Sequence, residues 1–418
     1  GKRKWLGGAI NPQTGIIYGI PSHALGVLAI QPPVYEESSI LQNTIPLPAS
    51  KQRGRFKWLR GIVVRNILYG IPAWSQHGVL KMNLQTNEVA TLPLPFSPDE
   101  AGNVNYGHDA DVTKWMWHGA SLTEDNEFIL CVPSNAQRVL QIHVETNAVI
   151  EIGPFFHGQN KWYGGILGDD GAIYGIPYTA SGILRIGYPY NGSDDVRIIG
   201  SFPQNQYLWH GGVKSPHNGA IYAFPSHADQ VLKIQTRASE CVNASTCNEE
   251  QRFFLLDIHR QANDDRCRRY QWLGGCIGAD GNIYGIPSDS TSILKIDPRT
   301  DHVTTFGHVT SQKNKWQGAV LSPSDGCVYC IPSNAEHVLQ INTTNSSSNI
   351  LPTLPDQANQ SENGRYRLLR EKLSSMKDKF QGGFLGRDGN IYCIPENAER
   401  VLKITPSTEK ECARVNYL

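Results

Sequence analysis

Hydrophobic positions along this chain fall in short runs closed by glycine, proline or an Asp-Gly pair, and the runs recur in a fixed order. The phrase "IIYGIPSHA" at 16–24 returns as "ILYGIPAWS", "FILCVPSNA", "AIYGIPYTA", "AIYAFPSHA", "NIYGIPSDS", "CVYCIPSNA" and "NIYCIPENA". Its proline stands at Pro21, Pro72, Pro133, Pro177, Pro225, Pro287, Pro332 and Pro395. Upstream by 14–16 residues come Trp5, Trp58, Trp117, Trp162, Trp209, Trp272 and Trp316, with Phe380 in the eighth copy. A small pair follows the aromatic residue (Gly7-Gly8, Gly164-Gly165, Gly382-Gly383), and only the second copy breaks it, with Arg60-Gly61. Downstream lies "VLxI" or "ILxI", as in Val27-Leu28-Ile30 and Ile183-Leu184-Ile186.

Each copy predicts four strands. The run "GGAI" or "GGIL" is the first, and turns such as "DDG", "ADG" and "RDG" signal a tight hairpin after it. "IYGI" is the second, stopped by a proline that cannot donate to a sheet ladder. "VLKI" is the third. A fourth run precedes the next Trp in "VIEIG" (149–153), "VRIIG" (196–200), "FFLLDI" (253–258) and "VTTFG" (303–307). Both faces of "IIYGI" are apolar, as a strand buried between packed sheets requires. The copies exceed leucine-rich and β-helix repeats in length, and β-branched and aromatic residues ending in proline do not suit helical repeats. An open solenoid needs atypical end repeats, whereas here the first and last copies are regular. The expected fold is all-β: an eight-bladed β-propeller of four-stranded antiparallel blades, with long inter-blade insertions and one short helix. A single domain spans 1–418, with repeats starting near 4, 57, 116, 161, 208, 271, 315 and 379. Too little chain precedes Trp5 to donate a strand, so "TEKECARVNYL" should complete the last blade and each blade should be one continuous repeat.

These motifs resemble β-propeller repeat proteins of the broad Kelch-like and YncE-like sort over essentially the whole chain. A Gly pair followed by a Tyr (Gly7-Gly8, then Tyr18) is shared with Kelch; here the Trp precedes the pair instead of following the Tyr. The pattern "WxGG…IYGIPxxAxxVLxI" also resembles a repeat of uncharacterised proteins from algae and other microbial eukaryotes. The resemblance implies the fold and no activity.

Residues present in nearly every copy answer the needs of the blade, so the Trp ring is read as interface and the slot of Gly19, Cys131, Cys330 and Cys393 as a small buried position. Lys4, Lys57, Lys161, Lys315 and Lys379 precede the motif aromatic. They are either solvated strand ends or a cationic rim for an acidic glycan or carboxylated partner. The second residue after "IP" (His23, Trp74, Asn135, Thr179, His227, Asp289, Asn334 or Asn397) is read as a turn former, or alternatively as a ligand-contacting rim.

Charge and cysteine content narrow the classes. Lysines plus arginines number 38 and so do the acidic residues, giving zero net charge, which lacks the footprint of a nucleic-acid binder. No run has the length of a membrane span. Gly1 in place of a methionine fits a removed leader or a tag remnant. Cys131, Cys276, Cys327, Cys330 and Cys393 lie within the repeat. The Cys327/Cys330 spacing finds no second pair, so no metal is expected. Cys241, Cys247, Cys267 and Cys412 lie outside the repeat and are disulfide candidates, Cys241 with Cys247 being the local pair. Sequons at Asn191, Asn243, Asn342, Asn345 and Asn359 fall between strand motifs. Together these favour a secreted or cell-surface glycoprotein.

Segments 31–57, 83–116, 235–271 and 342–379 read as insertions. In the last, Leu369, Leu373, Met376 and Phe380 share one helical face. No nucleophile motif, carboxylate pair, phosphate loop or cofactor motif is present, and "GHDAD" (107–111), with His108, Asp109 and Asp111, is the nearest thing to an acid/base or metal cluster. The expected function is a non-enzymatic extracellular scaffold that binds copies of itself or another extracellular protein, as a coat, sheath or filament subunit. The alternative is a glycan-binding or polysaccharide-active propeller, with Asp/Glu or His/Tyr/Arg side chains gathered over a channel mouth.

Overall fold

A computed structural model describes residues 1–33, 40–74, 77–95, 114–237, 252–261, 269–352, 373–408 and 411–418. Among these residues the chain is all-β, with strands grouped in seven sheets. Six sheets hold four antiparallel strands in chain order. The seventh holds eight, with Ile258 and His259 paired in parallel with Val303 and Thr304. Two compact units divide the chain: Gly1–Ile45 with Ile258–Leu418, and Pro46–Asp257. The first carries copies one, six, seven and eight, and the second carries copies two to five. Within the first unit, the first strand of copy one (Trp5–Ile10) packs against that of copy eight (Phe380–Leu385). Arg414–Tyr417 completes the last sheet, so copy eight supplies its own outer strand.

Copy four shows how the repeat writes a sheet. Trp162–Leu167 pairs with Ile173–Pro177, which pairs with Ile183–Ile186, which pairs with Val196–Ile199. The second strand is buried at every position, because sheets pack on both of its faces. Each such Ile or Tyr contributes roughly 1.5–3 kcal/mol of burial. Asp170 makes the hairpin. Its Oδ1 accepts the Ala172 N–H at 3.2 Å and its Oδ2 accepts the Tyr174 hydroxyl at 2.8 Å. Asp280 and Asp388 hold Tyr284 and Tyr392 in the same way. Burial first, and then the Asp170 charge, raise the Tyr174 hydroxyl to about 12, so it stays a donor.

The glycine pair does two jobs. The register of the first two strands slips between Tyr163 and Gly165, and the bulged residue, Gly164, has φ +78°. A β-bulge of this hand calls for glycine. The second glycine admits the neighbouring sheet: a Cβ on Gly165 would come 2.9 Å from Val132 of copy three. The motif Trp ties its own sheet together. Trp162 Nε1 donates to Gly182 O at 2.8 Å and Trp272 Nε1 to Ser292 O at 2.9 Å, just before the third strand. All seven motif tryptophans make this bond.

The insertions are shorter than the sequence suggests. Each expected insertion contains its copy's own fourth strand: Leu41–Pro46, Val89–Leu92, Phe253–His259 and Ser347–Leu351. A four-residue helix, Ala49–Gln52, follows the first of these. Phe380 is not on a helical face; it opens a strand, because it takes the Trp slot. Met376 packs on the core of copies seven and eight and Leu373 is buried, while Leu369 lies outside the described residues. Among the described residues no helix is long and apolar enough to cross a membrane.

The Trp bond gives a direct test. Trp272→Phe should keep the fold, since copy eight carries Phe380 there, but it removes the indole donor from the Ser292 carbonyl and leaves only Ser290 Oγ, at 3.1 Å. The expected loss is about 1–2 kcal/mol in chemical denaturation, against about 3–5 kcal/mol for Trp272→Ala, which also leaves a cavity.

Candidate functional site

The five repeat lysines do not form a rim. Lys57, Lys161, Lys315 and Lys379 are buried and Lys4 is half-buried. The Lys161 ammonium donates to Ser134 O, Ala136 O and Gly158 O at 2.8, 2.9 and 3.0 Å. Lys315 holds Ser288 O, Ser290 O and Gln312 O at 2.8, 2.9 and 2.9 Å. Lys379 reaches Asn334 O, and Lys4 reaches Glu396 O and Ala398 O. Each of these four clamps the "IPxxA" turn of the preceding copy. Burial lowers Lys161 to about 7 and Lys379 to about 8. The polar residue after "IP" works beside the clamp. Asn135, Asp289, Asn334 and Asn397 use Oδ1 to accept the N–H of Asn160, Asn314, Asp378 and Arg3. Those four partners have φ between 50° and 54° and stand one residue before the lysine.

Copy eight varies this joint. Glu396 stands where Ser22, Ser134, Ser226, Ser288 and Ser333 stand in other copies, and it is buried. Burial and then Asp378 push its carboxyl up to about 8, against the opposing charges of Arg3 and Lys4.

Of the disulfide candidates, Cys412 is exposed with a free thiol, and Cys241, Cys247 and Cys267 lie outside the described residues. The repeat cysteines Cys131, Cys327, Cys330 and Cys393 are buried, and Cys276 is half-buried. Among the sequons, Asn191 and Asn345 are exposed, Asn243 and Asn359 lie outside the described residues, and Asn342 is the last residue of a third strand, Val338–Asn342. "GHDAD" lies outside the described residues as well.

A different group converges on the first strands of copies two to five. In copy two the bulge residue is Arg60, at φ +62°, where every other copy has glycine. Its side chain is open to solvent, yet the surrounding protein lowers even its guanidinium pKa. The residue between Trp and the glycine pair is His118, Tyr163 and His210 in copies three, four and five; other copies have Leu or Gln. His118 stacks on Tyr163 at 3.8 Å between ring centroids, Tyr163 on Tyr178 at 4.3 Å, and Tyr178 on Tyr207 at 4.7 Å. His210 meets Tyr163 edge-on at 5.0 Å and lies 6.3 Å from His118. Burial and then the Arg60 charge lower His210 to about 4, and His118 falls well below its ordinary value for the same two reasons. Nδ1 of each histidine is buried without a hydrogen-bond partner among the described residues. At neutral pH the cluster therefore holds one fixed cation beside two neutral imidazoles, set in a wall of stacked rings. The signal was present in the sequence as departures from the repeat: Arg60 for glycine, and three aromatic rings in a column of Leu and Gln.

The fold and this repeat define a β-propeller repeat protein. No protein-family model matches the chain, and no curated protein does. Among solved structures it is similar to the computationally designed Ika8 protein, at TM-score 0.58 and 7% identity over 100% of this chain and 97% of that one. It is also similar to the dihydro-heme d1 dehydrogenase NirN, at TM-score 0.57 and 9% identity over 97% of this chain and 73% of that one. A catalytically inactive virginiamycin B lyase from Staphylococcus aureus, solved with quinupristin, matches at TM-score 0.52 and 12% identity over 79% of this chain and 92% of that one. At these identities the likeness is one of fold.

Glu396 makes stability depend on pH. Its folded pKa, about 8, lies above the unfolded 4.5, so the folded state holds a proton that the unfolded chain has released. That contribution is full below about pH 4.5 and is lost as pH rises through about 8. Glu396→Ser, which restores the residue of other copies, should lose less stability than the parent between those two pH values. The denaturation midpoints of the two proteins, measured across that window, should diverge.

Proposed function

We propose that this chain is an eight-bladed propeller, one blade per copy in a single domain over 1–418, that binds a carboxylate-bearing ligand, an acidic glycan, at Arg60, His118 and His210. The observation that carries this reading is Arg60. A left-handed conformation costs a non-glycine residue on the order of 1–2 kcal/mol. The chain accepts that strain at the one bulge where it sets a guanidinium beside two imidazoles. Arginine matches a carboxylate with paired donors, and the neutral imidazoles add polar contacts without a competing anion. Stacked rings hold the wall in place before the ligand arrives, which lowers the entropy lost on binding. A secreted or cell-surface setting accords with the ligand class and with exposed sequons at Asn191 and Asn345.

Arg60→Gly separates function from stability. Isothermal titration with oligogalacturonate should show saturable binding by the parent, and Arg60→Gly should weaken it more than about tenfold, or roughly 1.4 kcal/mol. The melting temperature of the variant should be equal or higher, because glycine removes the strain. A parent that binds oligogalacturonate no better than neutral maltooligosaccharide, or a variant that binds as well as the parent, overturns the reading.

A second reading, assembly with further copies, is supported by exposed apolar side chains on outer strands: Ile150, Ile198, Phe254, Leu255 and Ile350. Edge strands invite pairing with other chains. Light scattering on the native, non-reduced protein should then give a mass above the 46.3 kDa of one chain; a monomer removes this reading and leaves the first untouched.

A further inference from the structure

A second departure from the repeat borders a cavity lined in part by Lys161 and Trp162. After the fourth strands of copies three, four and six, a glycine with positive φ (Gly153, Gly200, Gly307) leads to an apolar residue whose N–H donates to the residue four places after the "IP" proline. The pairs are Phe156 to Gln137 O, Phe202 to Ser181 O and Val309 to Thr291 O. Phe202 and Val309 come two residues after their glycine, but Phe156 comes three after Gly153. The extra residue pushes Phe155 out of the core, and its side chain is 62% exposed.

Phe155 is not loose. The Arg138 guanidinium lies 5.1 Å from its ring centroid, and Arg138 Nε is anchored on Gly153 O at 2.8 Å. An aromatic ring fixed in this exposed position, one face taken by a cation, offers its remaining surface to the cavity beside it. That cavity is about 230 Å³. Trp162 and Phe156 form its floor, edge to face at 5.0 Å, and Ile198, 38% exposed, continues the apolar wall. Ser181, Gln204 and Asn205 supply the polar wall, and their side chains make no hydrogen bond among the described residues. The lining holds no carboxylate, and its lysine, Lys161, already donates to three carbonyls.

We propose that this cavity binds a single neutral pyranose ring of a glycan. The volume lies below the roughly 300–1,000 Å³ of clefts that take drug-sized molecules, so it suits one ring. A pyranose has an apolar C–H face and a hydroxyl-bearing edge, which match an aromatic wall opposite side-chain amides and a hydroxyl. The lining holds no carboxylate, its lysine is saturated by carbonyls, and its other basic group is the imidazole of His157, a set that suits a neutral sugar better than a charged one. This inference stands apart from the Arg60 site, since it concerns other residues and an uncharged ligand.

Saturation-transfer NMR with methyl glucoside, galactoside, mannoside and N-acetylglucosaminide tests it. At least one should show saturable transfer at millimolar concentration. Phe155→Ala should weaken that sugar by about tenfold, the loss of one aromatic contact, and Gln204→Ala by about two- to tenfold, the loss of one hydrogen bond. Phe155 is exposed, so an unchanged melting temperature in Phe155→Ala shows that the loss is local. The proposal is overturned if none of the four sugars gives saturable transfer, or if both variants bind as the parent does. Failure here with intact oligogalacturonate binding would leave the Arg60 site standing.

Discussion

Neighbouring copies within each unit depend on one joint, the pair of residues before each first strand. In copies one, four, seven and eight the first of the pair takes a left-handed conformation and gives its N–H to the polar side chain of the preceding "IPxN" or "IPxD" turn. The second is most often lysine, and its ammonium gathers the main-chain carbonyls of that same turn. Its own carbonyl accepts from the next turn along, as Lys161 O does from Tyr178 N–H. One residue thus satisfies polar groups of two sheets. A buried ammonium without acceptors would be untenable, and so would the turn's carbonyls without a donor. The two requirements meet only when the copies dock. Polar groups that are satisfied by docking, and stranded without it, favour one way of joining the sheets.

That joint explains what the repeat conserves within the chain and what it leaves open. Trp, the second glycine, the turn Asp and the lysine are each fixed by a contact that recurs from sheet to sheet. The residue between Trp and the glycines has no such duty. It is Leu, Gln, Tyr or His, and it is there that the chain can place chemistry without loosening a sheet. The bulge position is different, because glycine is required by its backbone. Arg60 occupies it against that requirement, which is the pattern expected where a site is strained and the rest of the fold holds it in place. Phe155 follows the same logic at smaller cost, since one extra residue in a surface segment is tolerated.

Much of this was legible in the chain itself. Apolar runs with no alternation marked the second strands, because those strands are buried on both faces. Asp-Gly marked the hairpins, because only glycine takes the left-handed turn position readily. The fourth strands of copies two and seven were hidden in apparent insertions, since "VATL" and "SSNIL" face solvent on one side and carry little apolar signal. Lysine misled for a physical reason. It is rarely buried whole, and the acceptors that permit burial here are main-chain carbonyls, which no side-chain pattern reveals. Asn342 likewise reads as a loop sequon, yet it closes a strand. The ring stack was invisible as contacts, but its members were visible as exceptions in an otherwise regular column.

Electrostatics separate the two kinds of cation in this molecule. The clamp lysines are saturated by carbonyls and have little capacity left for a ligand. Arg60 is open to solvent, and its charge adds to burial, the larger cause, in holding His118 and His210 below their ordinary values. A carboxylate brought to that guanidinium would offset the same field that suppresses the imidazole charges. Ligand and proton would then favour one another, since the carboxylate's negative charge stabilises a protonated imidazole and the imidazolium in turn attracts the carboxylate. A propeller whose repeated cations are locked into its joints can therefore carry zero net charge and still present one localised positive field, placed by a single exception to its own repeat.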